Sequence, residues 1–527
     1  MKSSSHRFLK ILFISVISFL ILLTIAAKII SAHLEKVISE KLTAVNCQVD
    51  SLDLSLFTRT LSGKNIRWIS PPDSAHRAPH KVHFARISVK GIGVLPYLLH
   101  HELHISRVEG EGGDITYDRA LKTKKKAGEK KSNFTTIEID QVAFSTMNVR
   151  ITSDTIQEYS ANLSFTLNKI LAKNLNPGED IHYDVATMEA LVEQVVMQGK
   201  TSLYNTTIHR AYLNSKEGII EIDSIRMNPL KGKFEFANSL GRQKTRVILH
   251  IPAIRMTGFD YDVLRDSIFS VSNTEIHDAS LSVFRDKRLP FKNPLIPLPM
   301  QMLKDEIPFG MKLDTIRIIN SIVIHEEMAA GGNETGKINM TDLNATISNF
   351  NNRLYDDRPP FSVIRASGKF MKTGLIEASF FMPIKKGVNY EAIGKISHLD
   401  LQEINTITEA VGFLRIESGL MNRLNFNFQY NEYKSTGVLD INYENLKMIS
   451  LNKNKKKEIN QFKTFILNAL VKKNKDKNTP KEQRTGKIDI ERDRRRFVVN
   501  VWVMSLFDGL KSAVLPDTQE ENPKPKK

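Results

Sequence analysis

The sequence predicts a mostly β protein, in which an N-terminal transmembrane helix is followed by an elongated, curved antiparallel β-sheet with a few short helices. Three observations lead to this fold class. An apolar stretch near the N-terminus reaches the length of a membrane-spanning helix. Beyond it, apolar and polar residues alternate with a period of two. Gly, Asn, Asp and Pro separate these alternating runs, whereas helical periodicity is rare.

The apolar stretch at residues 8–30 predicts the transmembrane helix. Each Leu, Ile, Phe or Val contributes about −0.3 to −0.6 kcal/mol on the insertion scale, so the stretch favours the bilayer. Arg7 and Lys10 flank its start without an acidic residue, and the positive-inside tendency therefore keeps residues 1–7 in the cytoplasm and exports the rest. A cleaved signal sequence is the alternative, but the run is long and continues past Ala27 with a helical pattern.

The composition describes a folded protein without a disulfide framework. Hydrophobic residues make up 41% of the chain and charged residues 25%, which suits a packed core. Cys47 is the only cysteine, so neither an intramolecular disulfide nor a cysteine metal site is expected. The net charge of +17 is concentrated in residues 453–496. In an exported chain such a cluster predicts contact with lipid head groups, and no nucleic-acid partner is expected.

After the anchor, a helical period continues briefly before the strands begin. Residues 31–44 predict an amphipathic helix, because Leu34, Val37 and Ile38 share one face. From residue 45 to residue 450 the alternation predicts a repeating β region.

A loose internal repeat underlies this β region. Each copy has an alternating strand, a small or polar break, a second alternating strand and a charged end, which predicts strand pairs added along one axis. The irregular spacing between copies disfavours a propeller or a solenoid of fixed period, and separate β-sandwiches remain the alternative. The copies occupy residues 103–119, 135–152, 273–287 and 313–327.

The C-terminal part contains three further segments. Residues 451–486 predict a basic helix and linker, and residues 517–527 predict a disordered tail. Residues 487–516 predict a terminal strand and an apolar helix, with two interpretations open. The helix closes the end of the sheet, or it lies in a membrane interface with arginines on the lipid head groups. The second interpretation gives these candidate membrane contacts: Arg494, Arg495, Arg496, Trp502 and Phe507.

The sequence offers no catalytic constellation. Residues 100–104 lack the spacing of a zinc-binding HExxH motif, and Gly91 and Gly93 lack the third glycine and the helix of a phosphate loop. Neither a Gly-x-Ser-x-Gly elbow nor a P-loop occurs. Residues 325–327, a His and two Glu, are expected to form a solvated strand end. We therefore expect a protein that is not an enzyme, without catalytic residues, bound cofactor or metal.

Residues 398–450 carry the most informative pattern. A helix at residues 401–411 precedes a turn and strands at residues 413–417, 420–430 and 436–443. The turn and the glycine step after it are formed by Ile416, Ser418, Gly419, Leu420, Met421 and Asn422, and then by Gly437, Leu439 and Asp440. This pattern resembles the C-terminal region of the AsmA-like family of bacterial envelope proteins, which includes AsmA and TamB.

The N-terminal plan is similar to the same family. An anchor precedes a strand, a Gly-Lys-Asn turn, an Ile-x-Val-x-Gly strand, a Leu-Pro-Tyr-Leu-Leu segment and a strand ending in Tyr-Asp-Arg. The resemblance implies a single-pass protein of the bacterial inner membrane, with the bulk of the chain in the periplasm and a role in phospholipid transport. After the anchor, these features occupy residues 48–56, 63–65, 87–91, 95–99 and 117–119.

A long sheet with one apolar face must bury that face, and few helices are available to cover it. If the sheet curls into a β-groove, it leaves apolar surface for acyl chains, and the resemblance implies this mode of action. We therefore expect a protein that is held in the inner membrane by residues 8–30, binds phospholipid or another acyl lipid, and supports outer-membrane homeostasis. The candidate groove residues are Val142, Phe144, Leu281, Val283, Ile322, Ile324, Phe426 and Phe428.

The main alternative is a structural or assembly factor. Such a protein would bind outer-membrane or other envelope proteins, for example nascent β-strands, through exposed sheet edges. Phospholipid that copurifies with the protein would favour transport, whereas a bound β-barrel precursor without lipid would favour assembly.

Overall fold

The protein is mostly β, as the sequence predicts, and its strands form a large mixed sheet of 21 strands. Within the residues that the structure describes, no helix is long and apolar enough to cross a membrane. A computed structural model describes residues 27–70, 79–93, 100–118, 135–153, 156–173, 182–198, 202–451 and 484–514, together with Thr24 and Pro96.

Several predicted segments lie outside the described residues. The anchor at residues 8–30 is described only at Thr24 and at residues 27–30, which are helical. The cytoplasmic N-terminus, most of the basic helix and linker at residues 451–486, and the tail at residues 517–527 also lie outside them.

The chain forms two compact units. The N-terminal unit comprises Met1–Ser202 and Thr207–Glu217, and the C-terminal unit comprises Leu203–Thr206 and Gly218–Lys527. The predicted β region at residues 45–450 is therefore divided between two units.

The N-terminal unit begins with helix α1 at residues 27–44, which contains the predicted amphipathic helix. Strands β2 to β8 pair in chain order, and only the pairing of β5 with β6 is parallel. The strands are β1 Cys47–Gln48, β2 Ser51–Ser55, β3 Thr60–Ile69, β4 Lys81–Lys90, β5 Glu102–Asp118, β6 Thr136–Ser153, β7 Ile156–Lys173, β8 His182–Met197 and β9 Tyr204–Asn214, whose first residues belong to the other unit.

The C-terminal unit contains the remaining strands. Strands β12 and β13 both pair antiparallel with β11 and parallel with β14, and β14 to β21 pair antiparallel in chain order. The strands are β10 Ile219–Pro229, β11 Arg246–Phe259, β12 Ile268–His277, β13 Ser280–Asp286, β14 Gly310–Met328, β15 Thr335–Asn351, β16 Phe361–Phe370, β17 Gly374–Pro383, β18 Tyr390–Asp400, β19 Leu414–Tyr430, β20 Lys434–Ser450 and β21 Arg484–Glu491.

The helices of the C-terminal unit are short except for the last. At the predicted helix of residues 401–411, a 3₁₀ turn, Leu401–Ile404, is followed by a short α-helix, Asn405–Ile407, and a π turn, Thr408–Gly412. The α-helices are α2 Glu235–Asn238, α3 Tyr261–Leu264, α4 Pro299–Glu306, α5 Asn405–Ile407 and α6 Val498–Val514.

The prediction of a purely antiparallel sheet is wrong, and the repeat explains why. Each copy runs along a single position in the sheet and does not fold back into a pair of neighbouring strands. The first two copies lie side by side as the parallel strands β5 and β6. The last two copies are likewise parallel neighbours. The third copy forms β12 and β13, and both pair parallel with β14, which is the fourth copy. Parallel neighbours need a long crossover between them, and the segment between β13 and β14 contains α4.

The small or polar break of each copy contains a residue in the left-handed backbone conformation. Gly112, Thr146, Asp278 and Asn320 stand at the four breaks, and all have positive φ, between 50° and 62°. At Thr146 and Asn320 the register with the following strand also shifts, as it does at a β-bulge, where an extra residue interrupts the alternation of the strand. Each strand position therefore continues across its break, where the sequence pattern suggests a turn.

Candidate functional site

An apolar face crosses strands β2 to β8 of the N-terminal unit. Residues that pair directly across neighbouring strands share a face of the sheet. Two adjacent rows, which we call the N-terminal apolar face, contain only apolar residues and glycine. The first row is Leu54, Leu61, Val89, Val108, Val142, Leu167 and Met188. The second row is Leu52, Gly63, Ile87, Gly110, Phe144, Phe165 and Ala190.

Phe144 is at the centre of this face. Its ring stacks on Phe165, with the centroids 5.5 Å apart, and meets the edge of Phe84 at 5.3 Å. The ring lies over Gly110, where a Cβ atom would overlap it. Glycine at this position therefore lets an aromatic ring lie flat on the neighbouring strand.

The described part of the N-terminal unit does not seal this face. Its only buried hydrophobic side chains are Phe84 and Met147, and every larger side chain of the two rows is half-buried. A sheet face packed under protein would contain fully buried side chains, as the interior of a domain does. The N-terminal apolar face is thus partly accessible on the described portion of this unit.

The opposite face of the same strands is polar. Glu109, on that face, accepts a hydrogen bond of 2.6 Å from Lys90 and forms an ion pair of 2.6 Å with Arg107. The hydrogen bond from Lys90 lowers the pKa of the Glu109 carboxyl, and Arg107 adds to the effect. The row that contains it is Asp53, Ser62, Ser88, Glu109, Ala143, Thr166 and Glu189.

In the C-terminal unit, helix α6 covers the apolar face of the last strands. Gly509 brings the helix against the sheet, because a Cβ atom there would lie 2.8 Å from Leu439 Cβ and 3.0 Å from Ile488 Cγ1. Trp502 stacks on Phe380 with ring centroids 4.1 Å apart. These contacts make α6 a fixed part of the C-terminal core.

A buried hydroxyl pair fixes α6 further. Ser505 Oγ lies 2.7 Å from Ser435 Oγ on β20 and 2.7 Å from the carbonyl oxygen of Val501. All three residues are buried. Since buried polar groups are costly unless they are hydrogen-bonded, this pair favours one position of the helix on the strand.

The predicted groove residues of the C-terminal unit do not behave as one set. Phe426 and Phe428 are 6% and 1% exposed and belong to the core with Val501 of α6. They line a protein interior, so their assignment to an open groove is corrected. Leu281 and Val283 are half-buried.

Ile322 and Ile324 lie on the other face of the sheet from Leu281 and Val283. Leu281 pairs with Val323, whereas Ile322 and Ile324 pair with serines of β13. The register places Val323 on the apolar face and leaves Ile322 40% exposed. The two pairs therefore cannot line one groove, and Ile322 and Ile324 stay candidates on the opposite face of the sheet.

The predicted membrane contacts also divide into two groups. Arg494 bonds to Glu432 at 3.1 Å, Arg496 bonds to Asp493 at 2.9 Å, and Trp502 faces the sheet. These three side chains have partners within the protein. The remaining two, Arg495 and Phe507, are exposed.

The outer face of α6 is apolar. Val499, Val503, Met504 and Phe507 are exposed there, Phe507 by 64%, and Lys511 follows one turn later. We call these four apolar residues the α6 stripe. Because the opposite side of the helix is fixed in the core, rotation cannot bury the stripe. An apolar stripe of this kind, flanked by Arg495 and Lys511, is typical of a helix that lies on a membrane surface.

Side chains from helices cap the amides of two edge strands. On β21, Lys487 N–H donates to Ser512 Oγ at 3.1 Å and Asp489 N–H donates to Asp508 Oδ2 at 3.0 Å, both on α6. On β2, Leu54 N–H donates to Glu35 Oε1 of α1 at 2.6 Å. Capped amides cannot pair with an added strand.

The expected solvated strand end at residues 325–327 is wrong at Glu327, which is buried. Its carboxylate lies 2.6 Å from Lys287 Nζ and 3.9 Å from His325 Nε2. Burial disfavours the charged carboxylate, but His325 and Lys287 more than offset it, so the pKa of Glu327 is lowered. Nothing in the sequence of this charged strand end indicates that Glu327 is buried.

The described residues contain no group of three or more His, Cys, Asp or Glu placed to hold a metal ion. Compared with known proteins, the sequence matches no protein-family model and no curated protein.

Proposed function

We propose that the N-terminal apolar face binds the acyl chains of phospholipid or a similar lipid. The observation that carries the proposal is an apolar face that crosses seven strands with its side chains only partly buried. In the described part of the N-terminal unit, Phe84 and Met147 are the only buried hydrophobic residues. Contiguous exposed apolar surface usually marks a binding site.

The dimensions of the face suit an acyl chain. Seven strands spaced at about 4.8 Å give a row roughly 29 Å long, and each CH₂ group removed from water contributes about 0.8 kcal/mol. A chain lying along the Val142 row would contact one apolar side chain on each strand, while its head group stays near water. The polar row on the opposite face provides no such surface.

The wider role that we propose follows from this binding. A chain anchored at residues 8–30 in the bacterial inner membrane would hold the face in the periplasm, as in the AsmA-like proteins that the sequence resembles. The protein would then support phospholipid transport and outer-membrane homeostasis, with the curved sheet serving as the groove. The α6 stripe would contact a membrane surface.

The alternative role, an assembly factor that binds strands of envelope proteins, is supported less well. Strand addition needs unpaired edge amides, and side chains of α1 and α6 already occupy those of Leu54, Lys487 and Asp489.

Lipid mass spectrometry on the purified exported region, the chain from residue 31 onward, tests the proposal. The variant V142D/F144D/L167D introduces carboxylates on the N-terminal apolar face, and it should lose most of the lipid that copurifies with the wild type. The matched control, A143D/T166D/E189D, adds or keeps carboxylates on the polar face of the same strands and should keep its lipid. Equal lipid content in the two variants would refute acyl binding at this face.

A further inference from the structure

A basic cavity of about 640 Å³ lies in the C-terminal unit, beside α4 and the start of α6. Its charged lining residues include five cations and two acids. They are Lys304, Arg353, Lys385, Lys386 and Arg494, with Asp305 and Glu432.

The positive charge of the cavity exceeds what its acids can balance. Glu432 is already bonded to Arg494, at 3.1 Å. Lys304, Lys385 and Lys386 form no ion pair with any residue that the structure describes, and all three are exposed. An anion entering the cavity would therefore meet cations that have not been neutralised.

The cavity also has apolar walls. Leu295 and Leu354 are largely exposed and line the cavity together with the cations, and the buried Ile384 lines it as well. A small inorganic anion would leave these leucines in water. A ligand with both a negative group and an apolar part would use both surfaces.

Hydrogen bonds to backbone carbonyl oxygens hold the walls in place. Ile296 N–H donates to the carbonyl oxygen of Arg494 at 2.7 Å, and Arg492 Nη2 donates to the carbonyl oxygen of Ile296 at 2.8 Å. On the other side, Gln301 Nε2 donates to the carbonyl oxygen of Ile384 at 2.9 Å. The cavity is thus built from elements that are bonded to one another, which favours a preformed site.

We propose that the basic cavity binds a phosphate group, and that an apolar chain attached to this phosphate lies against Leu295 and Leu354. The apolar part of this inference rests on the proposed function, since it takes the ligand to be a lipid. Two sources share the phosphate chemistry: the head group of an anionic phospholipid and free inorganic phosphate.

Calorimetric titration of the full chain tests the cavity. The probes are dioctanoyl phosphatidylglycerol, dioctanoyl phosphatidylcholine and inorganic phosphate, each used below any micelle-forming concentration. The variant K385E/K386E should weaken binding of the anionic lipid by about tenfold and should change binding of the zwitterionic lipid much less. The matched control K244E/K372E makes the same charge change at exposed lysines outside the cavity and should bind as the wild type does.

The outcomes separate the two sources and the two proposals. If inorganic phosphate displaces the anionic lipid at a similar concentration, the cavity is assigned to free phosphate. If the anionic lipid binds and inorganic phosphate does not displace it, the cavity is assigned to the lipid head group. Equal affinity of K385E/K386E, K244E/K372E and the wild type for every probe would overturn the inference. Since these titrations do not depend on residues 142–167, loss of lipid in V142D/F144D/L167D would still be measured independently.

Discussion

Phe144 and Phe426 have the same local setting but different surroundings. Each ring lies over a glycine of the neighbouring strand, Gly110 for Phe144 and Gly394 for Phe426, where a Cβ atom would overlap the ring. Phe426 is 6% exposed under the cover of the C-terminal core, whereas Phe144 is only half-buried.

The difference shows that strand sequence alone does not decide which apolar face is sealed. Both phenylalanines belong to alternating strands and contact glycine. The core that contains Phe426 includes Val501 of α6, a helix that begins at Val498, far along the chain. A helix supplied from elsewhere thus separates a protein core from a surface that is available to a ligand.

The largest expected effect is on folding. Phe426→Asp places a carboxylate in the sealed core and should cost about 4 kcal/mol or more of the free energy of unfolding. Phe144→Asp, on the accessible face, should cost about 1 kcal/mol. Urea denaturation followed by circular dichroism measures both values. Equal losses would mean that the N-terminal apolar face is also covered in solution.

A second comparison involves two carboxylates paired with lysine. Glu327 is buried beside Lys287, and Glu109 is less buried beside Lys90, both at 2.6 Å. Glu327→Gln should reduce the free energy of unfolding by about 2 kcal/mol near neutral pH, and Glu109→Gln by about 0.5 kcal/mol, because solvent screens the exposed pair.

The pH dependence of the Glu327 effect follows from its lowered pKa. A carboxyl whose folded pKa lies below its unfolded pKa stabilises the protein above the unfolded pKa and loses this contribution as pH falls through the folded pKa. The difference between wild type and Glu327→Gln should therefore be full near pH 7 and should shrink below the ordinary carboxyl pKa of 4.5. Urea titrations from pH 7 to pH 3 measure it, and a difference that grows on acidification would contradict the assignment.

The cover over the C-terminal core can be loosened at its closest contact. Gly509→Ala adds a Cβ atom 2.8 Å from Leu439 Cβ and should cost about 1 to 2 kcal/mol of stability. Gly331→Ala is the control, because nothing lies within 4 Å of its added atom, and it should change stability by less than about 0.5 kcal/mol. Both are measured by urea denaturation, and equal effects would mean that α6 does not pack closely at Gly509.

The sequence predicts the β class and the position of Phe144 on an apolar face, because alternation directly encodes which residues share a face. It does not predict the sealing of Phe428 or the placement of Ile322. Residues 322–324 are all apolar, so polar–apolar alternation does not show which of them face the apolar side of the sheet. The bulge at Asn320 also interrupts the alternation just before them. Register and a distant helix, neither visible in a local pattern, decide those positions.

The smallest stability effect belongs to the α6 stripe, although its functional effect should be clear. Val503→Ser with Phe507→Ser removes exposed side chains and should change the free energy of unfolding by less than about 0.5 kcal/mol. Burial of these two side chains in a bilayer surface contributes about 1.5 to 3 kcal/mol each. Flotation with anionic vesicles, measured on the chain from residue 31 onward so that the predicted anchor does not contribute, should therefore fall at least tenfold. The control L375S/V438S removes apolar side chains of similar exposure from the sheet and should float as the wild type does. Unchanged flotation of V503S/F507S would show that the α6 stripe faces water rather than a membrane surface.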